Sequence, residues 1–282
     1  MSIAVGATPI IAVKVGDAPI AKVYSGSDLI ADFSEAAPEE AGDILSATFW
    51  LRAEDAALTL DGSDGVSAAV NMGAAGSAMD MAQATDAARP THVASVVNGR
   101  AVLRFDGADD QLVTPSVAGD AFLSTDDENV AFLVMQAAAD DEQLSPFFWG
   151  ATRQAEFGTH ATWEDGAVYF DSADNDSGAG GGRLSVAAPA GWLTGFHILE
   201  LVRNGSAAEI LVDGVSLQTK AGISATVSTL PDELHLGSRG GSFFYRGDLA
   251  EIIIGRGATA VSSATRTQAR EVLASYYGIT LP

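Results

Sequence analysis

A short acidic loop holds the side chains of this chain that are best suited to binding a cation or a sugar. The loop runs from Asp171 to Arg183 and reads DSADNDSGAGGGR. Its oxygen-bearing side chains include Asp171, Asp174, Asn175 and Asp176. Carboxylate oxygens suit Ca²⁺, and the spacing partly matches the Asp-x-Asp-x-Asp-Gly calcium loop. We therefore predict Asp171, Asp174 and Asp176 as calcium ligands and all four side chains as sugar contacts; the alternative is a polar, mobile loop.

A second acidic group lies within NGRAVLRFDGADDQLVTP, residues 98–115. Asp106 and Gly107 have the composition of a tight turn between two strands, which leaves Asp109 and Asp110 in solvent. In the alternative interpretation, Asp106, Asp109 and Asp110 help to hold a calcium ion. The pattern favours the turn.

Aromatic side chains near predicted strand ends could stack on the C–H face of a sugar ring. The candidates are Trp163, Tyr169, Phe243, Phe244 and Tyr245. Of these, Trp163, Tyr169 and Tyr245 are predicted as ligand contacts. The other three tryptophans are predicted to fill the core, as most aromatic residues of a β domain do.

Several kinds of catalytic and metal site have no pattern in this chain. There is no Gly-x-Ser-x-Gly elbow and no Gly-rich phosphate loop with Lys. The four histidines are too scattered for a local zinc motif. The absence of cysteine excludes disulfides and thiolate chemistry. We predict that the protein is not an enzyme.

Charge and hydropathy limit the partners of the chain. Its formal charge is −22, which repels nucleic acid and anionic lipid. No apolar run reaches the roughly 18 residues of a membrane span, so no membrane insertion is predicted. The first apolar stretch is interrupted by Pro9 and follows no basic residue, which makes it a poor signal peptide.

Three regions follow along the chain. Residues 1–33 contain AVKVGDAPI and AKVYSGSDLI, two imperfect copies of a strand–turn–strand unit that predict two small hairpins. Residues 34–45 are acidic, contain Pro38 and predict a linker. Residues 46–282 form the main domain. Small hairpins are marginal alone in water, so the first region needs a partner surface.

The main domain has the pattern of an all-β sandwich. Short apolar runs alternate with turn dipeptides such as Asp213-Gly214, which predicts a tight hairpin pairing Ile210 and Val212 with Val215 and Leu217. Near the end, SSATRTQAREVLASYYG predicts a helix that begins at a Ser or Thr cap and ends at Gly278.

Several segments together resemble the laminin-G-like, concanavalin A-like lectin and glucanase domains of bacterial surface and phage virion proteins. They are WLRAEDA, ARPTHVASVVNGRAVLRFDGADDQLVTP, FHILELVRNGSAAEILVDGVSL, FFYRGDLAEIIIGRG and REVLASYYGITLP. The resemblance implies a jelly-roll sandwich with a short C-terminal helix. It does not specify an activity, because this fold hosts lectins, hydrolases and adhesion modules alike.

Glucanases of this fold place two carboxylates on one strand face, about 5–5.5 Å apart when they retain configuration. No Glu of this chain has an acidic residue two positions further on. Hydrolysis by that scheme is therefore not expected.

The first region resembles the short hairpin segments at the starts of phage tail, fibre and head-decoration proteins. The combined resemblances imply a structural protein of a bacteriophage virion that presents a lectin-like domain for adhesion to host-surface glycan. Its expected partners are other virion proteins, reached through the first region, and further copies of itself, with a trimer as the first hypothesis. The alternatives are a glycoside hydrolase or lyase of this fold and a bacterial cell-surface adhesion module.

Overall fold

A computed structural model of the chain describes residues 40–54, 57–140, 142–150 and 156–282, together with the backbone of four short strands nearer the N-terminus. The chain divides into two compact units, Met1–Glu39 and Glu40–Pro282.

The described part of the first unit contains two pairs of antiparallel strands. Strand β1 (Lys14–Val15) pairs with β2 (Ala18–Pro19), and β3 (Lys22–Ser25) pairs with β4 (Asp28–Asp32). These pairs lie in the two segments where the sequence predicts hairpins. The rest of the predicted region 1–33 lies outside the described residues.

The second unit begins earlier than the sequence suggests. The predicted linker ran through residue 45, but Ala41–Ile44 form a helical turn, α1, and Ala41 and Leu45 are buried. These apolar residues join the cluster that packs beneath the C-terminal helix. Residues 40–45 therefore belong to the folded unit, and residues 34–39 of the predicted linker lie outside the described residues.

The second unit is built mainly from short antiparallel strands. In chain order they are β5 (Ala47–Arg52), β6 (Leu58–Leu60), β7 (Val66–Ala69), β8 (Met81–Ala82), β9 (Thr91–Val97), β10 (Arg100–Asp106), β11 (Leu112–Val113), β12 (Glu128–Ala137), β13 (Phe147–Trp149), β14 (Phe157–Ala161), β15 (Ala167–Asp171), β16 (Arg183–Ala187), β17 (His197–Asn204), β18 (Ala207–Val212), β19 (Val215–Lys220), β20 (Leu234–Leu236) and β21 (Arg246–Arg256).

These strands form two sheets. The first has the order β19-β18-β17-β12-β21-β10-β9, and β5 pairs with the second half of β21 after β10 has paired with the first half. The second has the order β16-β15-β14-β13-β20-β11-β8-β7-β6. Strand β21 thus lies in the middle of the first sheet, although it is the last strand in the chain.

Apolar side chains form two layers. The larger cluster lies between the sheets and includes Phe49, Phe105, Trp149 and Leu236. The smaller cluster lies on the other face of the first sheet, where Phe132 and Ile253 meet the C-terminal helix. The fold is therefore a jelly-roll sandwich with a helix on one outer side, which confirms the predicted all-β class.

The helical layer consists of α2 (Ala258–Val261) and α3 (Ser263–Tyr277). The Ser262 Oγ accepts a hydrogen bond from the Thr265 backbone N–H, and Gly278 ends the helix in the left-handed conformation. Both signals were readable in the sequence, since a hydroxyl satisfies a free N–H and glycine tolerates positive φ. Among the described residues, no helix is long and apolar enough to cross a membrane.

The predicted hairpin at Asp213-Gly214 is present. Both residues have positive φ, and Val212 lies opposite Val215. A register shift follows, so Ile210 lies opposite Gln218 and not Leu217 as expected.

The acidic turn after β10 connects the two sheets. Asp106 ends β10 in the first sheet, and Leu112 begins β11 in the second. Asp109 is exposed as predicted, but Asp110 is buried, and its Oδ2 accepts a hydrogen bond from the Asp106 N–H at 2.9 Å. The pattern was correct about a turn and wrong about the position of Asp110.

Candidate functional site

The most distinctive group of functional side chains lies on the face of the second sheet that is turned away from the core, which we call the outer face. Alternate residues of each strand point there, because successive side chains of a strand lie on opposite faces. The outer face carries Phe148 on β13, His160 on β14, Tyr169 on β15 and Arg183 on β16, while their chain neighbours join the core.

Five rings meet on this face and form what we call the aromatic cluster, which consists of Phe148, His160, Trp163, Tyr169 and Phe243. The ring centroids of His160 and Trp163 are 4.5 Å apart, and those of Trp163 and Phe243 are 5.2 Å apart. His160 is buried at the centre, while Trp163, Tyr169 and Phe243 are half-buried. The cluster therefore exposes part of the Trp163, Tyr169 and Phe243 rings to solvent, and these rings pack against the buried His160.

His160 acts as the neutral support of this cluster. Its Nδ1 lies 2.8 Å from the Ser145 Oγ, which is also buried. Burial lowers the pKa of His160 to about 3, with smaller contributions from nearby arginines. An uncharged imidazole can pack against Phe148 and Trp163 without the cost of burying a charge.

Phe243 reaches the cluster from a loop with an unusual backbone. Its φ is +53°, a value that bulky residues rarely adopt. The loop is attached to the sheet region because the Ser145 N–H donates to the Phe243 carbonyl. Backbone strain of this kind persists where the surroundings hold it, and it concentrates at functional sites.

Two ion pairs border the aromatic cluster. Arg183 donates from Nε and Nη2 to the two carboxylate oxygens of Asp171, at 2.6 and 2.7 Å. Arg239 pairs with Glu156 through its Nη2. The Arg183 guanidinium lies over the Tyr169 ring, 5.1 Å from its centroid, so one face of Tyr169 is covered.

The two carboxylates of these pairs are buried. Asp171 is 0% exposed and Glu156 is 1% exposed. Burial raises the pKa of Glu156 to about 7 despite the opposing effect of Arg239, and it also raises the pKa of Asp171. Among the described residues, Glu156 Oε2 and Arg239 Nε have no hydrogen-bond partner.

The acidic loop between β15 and β16 is held by its own side chains. Asp174 Oδ1 accepts the N–H groups of Asp176 and Gly182, and Asp176 Oδ1 accepts that of Gly178. Lys220 Nζ donates to three carbonyl groups of the same region. Asn175 is exposed. The aspartates therefore shape this loop, as such residues do in turns.

The predicted calcium set is not assembled. Asp171 is buried in its pair with Arg183, which replaces a cation as the partner of its oxygens. The described residues contain one group of three acidic side chains close enough for an ion, Asp106, Asp109 and Asp110, whose ligand atoms lie within 4.8 Å of one another. Asp171, Asp174 and Asp176 thus do not fit a metal site.

Tyr245 is not a ligand contact. It is 0% exposed, its ring packs edge-on against Phe105, and its hydroxyl donates to the Gln136 carbonyl at 2.9 Å. Its ring belongs to the apolar cluster between the two sheets. Trp163 and Tyr169, by contrast, lie together on the outer face.

Sequence reasoning missed Phe148 and also missed the polar residues of this site, which are Glu156, His160, Arg183 and Arg239. Each is an isolated polar residue among small or apolar neighbours, and its partner lies up to 83 positions away. No local pattern marked them, because His160 and Arg183 lie on strands that the sequence did not indicate, and Glu156 and Arg239 lie outside the strands.

Comparison with solved structures supports the fold. The chain is similar to domain 4 of a GH43 extracellular arabinanase from Geobacillus stearothermophilus, solved in complex with arabinotriose, with a TM-score of 0.53 and 10% identity over 80% of this chain and 98% of that domain. It is similar to Trypanosoma rangeli sialidase in complex with sialic acid, with a TM-score of 0.51 and 14% identity over 89% of this chain and 36% of the sialidase.

A weaker similarity, with a TM-score of 0.41 and 15% identity, is to the CBM40 of a Ruminococcus gnavus sialidase bound to sialyllactose; it covers 50% of this chain and 80% of that structure. No protein-family model and no curated protein matches the chain. At these identities, the two similarities with a TM-score above 0.5 establish a shared sandwich fold.

Proposed function

We propose that the second unit is a non-enzymatic glycan-binding domain and that the aromatic cluster is its contact surface. The observation that carries this proposal is the half-buried Trp163, held by His160 and Phe243 beside two paired arginines. A flat aromatic surface suits the apolar C–H face of a sugar, and guanidinium N–H groups suit its hydroxyl oxygens. Arabinotriose and sialic acid in the two structures of similar fold agree with this class of ligand.

Trp163→Ala tests the proposal. On a glycan array followed by calorimetry, the wild-type chain should bind at least one glycan. The variant should lose about two- to tenfold in affinity, because an aromatic contact is worth about 0.5–1.5 kcal/mol. Phe196→Ala, which removes a half-buried ring outside the aromatic cluster, is the control and should bind normally.

Two results would count against the proposal: binding to no glycan, or equal affinity of the wild type and Trp163→Ala. Since the aspartates predicted as calcium ligands are engaged otherwise, we expect the same affinity with calcium and with a chelator.

The role that we propose for the whole chain is that of a phage virion component. The strand pairs of the first unit contain only two to five residues per strand, and hairpins of this size need a larger surface to be stable. Docking of this unit to other virion proteins or to its own copies, with a trimer as the first hypothesis, would supply that surface. Many copies would then convert weak glycan contacts into strong adhesion.

A glycoside hydrolase is the second candidate, and one observation favours it. Glu156 and Asp171 are two buried carboxyl groups on the same face, and a carboxyl group with a pKa of about 7 has the property of a general acid. Against this candidate, each carboxylate is engaged by an arginine. Release of shorter sugars from a bound glycan, abolished by Glu156→Gln, would support hydrolysis over simple binding.

A further inference from the structure

We propose that the ligand of the aromatic cluster is an uncharged, hydroxyl-rich glycan and not an acidic one. This inference rests on the proposed glycan binding and adds the chemical class of the ligand. It follows from the charges around the cluster.

The two arginines of the site do not present free positive charge. Arg183 uses two N–H groups in its two-point contact with Asp171, and Arg239 is paired with Glu156. Both carboxylates are buried. The carboxylate paired with each guanidinium therefore offsets its charge, fully for Arg183 and partly for Arg239, because the pKa of Glu156 is raised to about 7. Each guanidinium offers its remaining N–H groups as hydrogen-bond donors.

Exposed carboxylates surround the cluster. Glu164 and Asp165 follow Trp163 in the chain, and Asp165 Oδ2 accepts the Tyr169 hydroxyl at 2.7 Å. On the other side, Asp176 is exposed, and its carbonyl accepts the Arg183 N–H.

Negative charge therefore predominates at the site. Among the residues that the structure describes here, the acidic side chains are Asp171, Glu156, Glu164, Asp165, Asp174 and Asp176, and the cations are Arg183, Arg239 and Lys220.

Hydroxyl groups match this surface better than carboxylates do. A hydroxyl can donate to an exposed carboxylate and accept from a guanidinium N–H at the same time. A sugar carboxylate can only accept, and it meets the field of the surrounding acids on a chain whose formal charge is −22. The site therefore selects neutral sugars by repelling acidic ones.

The test uses the full chain and pairs of trisaccharides that differ only at C6. Each pair contains a neutral hexose trimer and the uronic acid trimer of the same stereochemistry and linkage, in the glucose, galactose and mannose series. Affinities are measured at about 0.01 M and about 1 M salt, where the Debye length is about 30 Å and about 3 Å.

We expect a neutral trimer to bind with an affinity that changes less than about twofold with salt. Its acidic partner should bind about tenfold or more weakly at low salt, and the difference should narrow at high salt because the repulsion is screened. The double variant Glu164→Gln and Asp176→Asn removes two carboxylates, so it should reduce the difference in affinity between the neutral and the acidic trimer at low salt as well.

The outcomes distinguish a failure of the inferred preference for neutral glycans from a failure of the proposed glycan binding. If an acidic trimer binds as tightly as its neutral partner at low salt, or more tightly, the inference is wrong and glycan binding stands. If no trimer of either kind binds at either salt concentration, the proposed glycan binding itself fails.

Discussion

Asp110 is a carboxyl group whose ionisation is linked to folding. It is buried at the turn that connects the two sheets, and burial raises its pKa from 3.8 to about 7, with smaller contributions from Asp106 and Asp109. The folded chain therefore retains this proton at pH values where the unfolded chain has released it. The stabilisation is complete below about pH 4 and is lost as the pH rises through about 7.

Asp110→Asn should remove this dependence. The Asn oxygen can still accept the Asp106 N–H, and the side chain carries no charge. We expect the free energy of unfolding at pH 8 to rise by about 1 kcal/mol or more, since each pKa unit is worth about 1.4 kcal/mol. Denaturant unfolding of the wild type and the variant between pH 5 and pH 8, in the presence of a chelator, measures this difference in the free energy of unfolding.

Asp109→Asn is the matched control, because Asp109 is exposed in the same turn. It should alter the pH profile of stability much less than Asp110→Asn does, because the charge of Asp109 makes only a small contribution to the raised pKa of Asp110. A variant Asp110→Asn that is less stable than the wild type at pH 8 would show that the ionised carboxylate stabilises the turn.

At the scale of residues, the sequence predicts the exposure of a side chain only where its neighbours along the chain determine that exposure. Trp163 and Tyr245 look alike in the sequence, yet Tyr245 is in the core and Trp163 is half-buried on the outer face. Asp171 looks like a loop ligand until Arg183 is seen to engage it. Such outcomes depend on tertiary partners that the spacing of residues along the chain does not encode.

At the scale of elements, helix α3 is attached to the first sheet by buried charge. Glu200 of β17 is 0% exposed and pairs with both Arg266 and Arg270 of the helix, the latter at 2.8 Å. On β21, which β12 separates from β17, Glu251 accepts a hydrogen bond from the Tyr277 hydroxyl at 2.8 Å. The helix is therefore oriented by polar contacts as well as by its apolar face.

Glu200→Gln should weaken this attachment. Two arginines lose their buried counter-charge, and breaking a buried ion pair costs about 3–5 kcal/mol. Thermal and denaturant unfolding should both report the loss. The control is Glu209→Gln, because Glu209 meets Arg266 at 3.5 Å and is more exposed; its effect should stay below about 1 kcal/mol. Equal losses in the two variants would contradict this account.

Elements with strong local signals were predictable. The cap at Ser262, the stop at Gly278 and the turn at Asp213-Gly214 are formed by neighbours in sequence. Which strands become neighbours was not predictable, because the turn after Asp106 crosses between sheets in place of forming a hairpin. The grouping of the site residues on the outer face of the second sheet depends on which strands are neighbours in that sheet.

At the scale of the whole molecule, the division after Glu39 predicts that residues 40–282 fold alone. This shortened chain should melt within about 4 °C of the full chain, because it keeps both apolar clusters. If the first unit mediates assembly as proposed, the full chain should be oligomeric and the shortened chain monomeric. Scanning calorimetry and size-exclusion chromatography with light scattering measure both properties.

The same shortened chain separates binding from avidity. Its affinity for a soluble glycan should equal that of the full chain, while its attachment to a glycan-coated surface should be weaker. An unfolded shortened chain would show that the first unit is needed for folding, and identical assembly of both chains would remove the proposed role of that unit.

The central position of β21 has a consequence for biosynthesis. Strands β12, β10 and β5 all pair with β21, residues 246–256. The middle of the first sheet therefore cannot form until that segment has been synthesised. Until then, these three strands have unpaired edges. Unpaired strand edges make incompletely folded chains prone to aggregation. Because these three pairings span long stretches of sequence, we expect the first sheet to close late in folding.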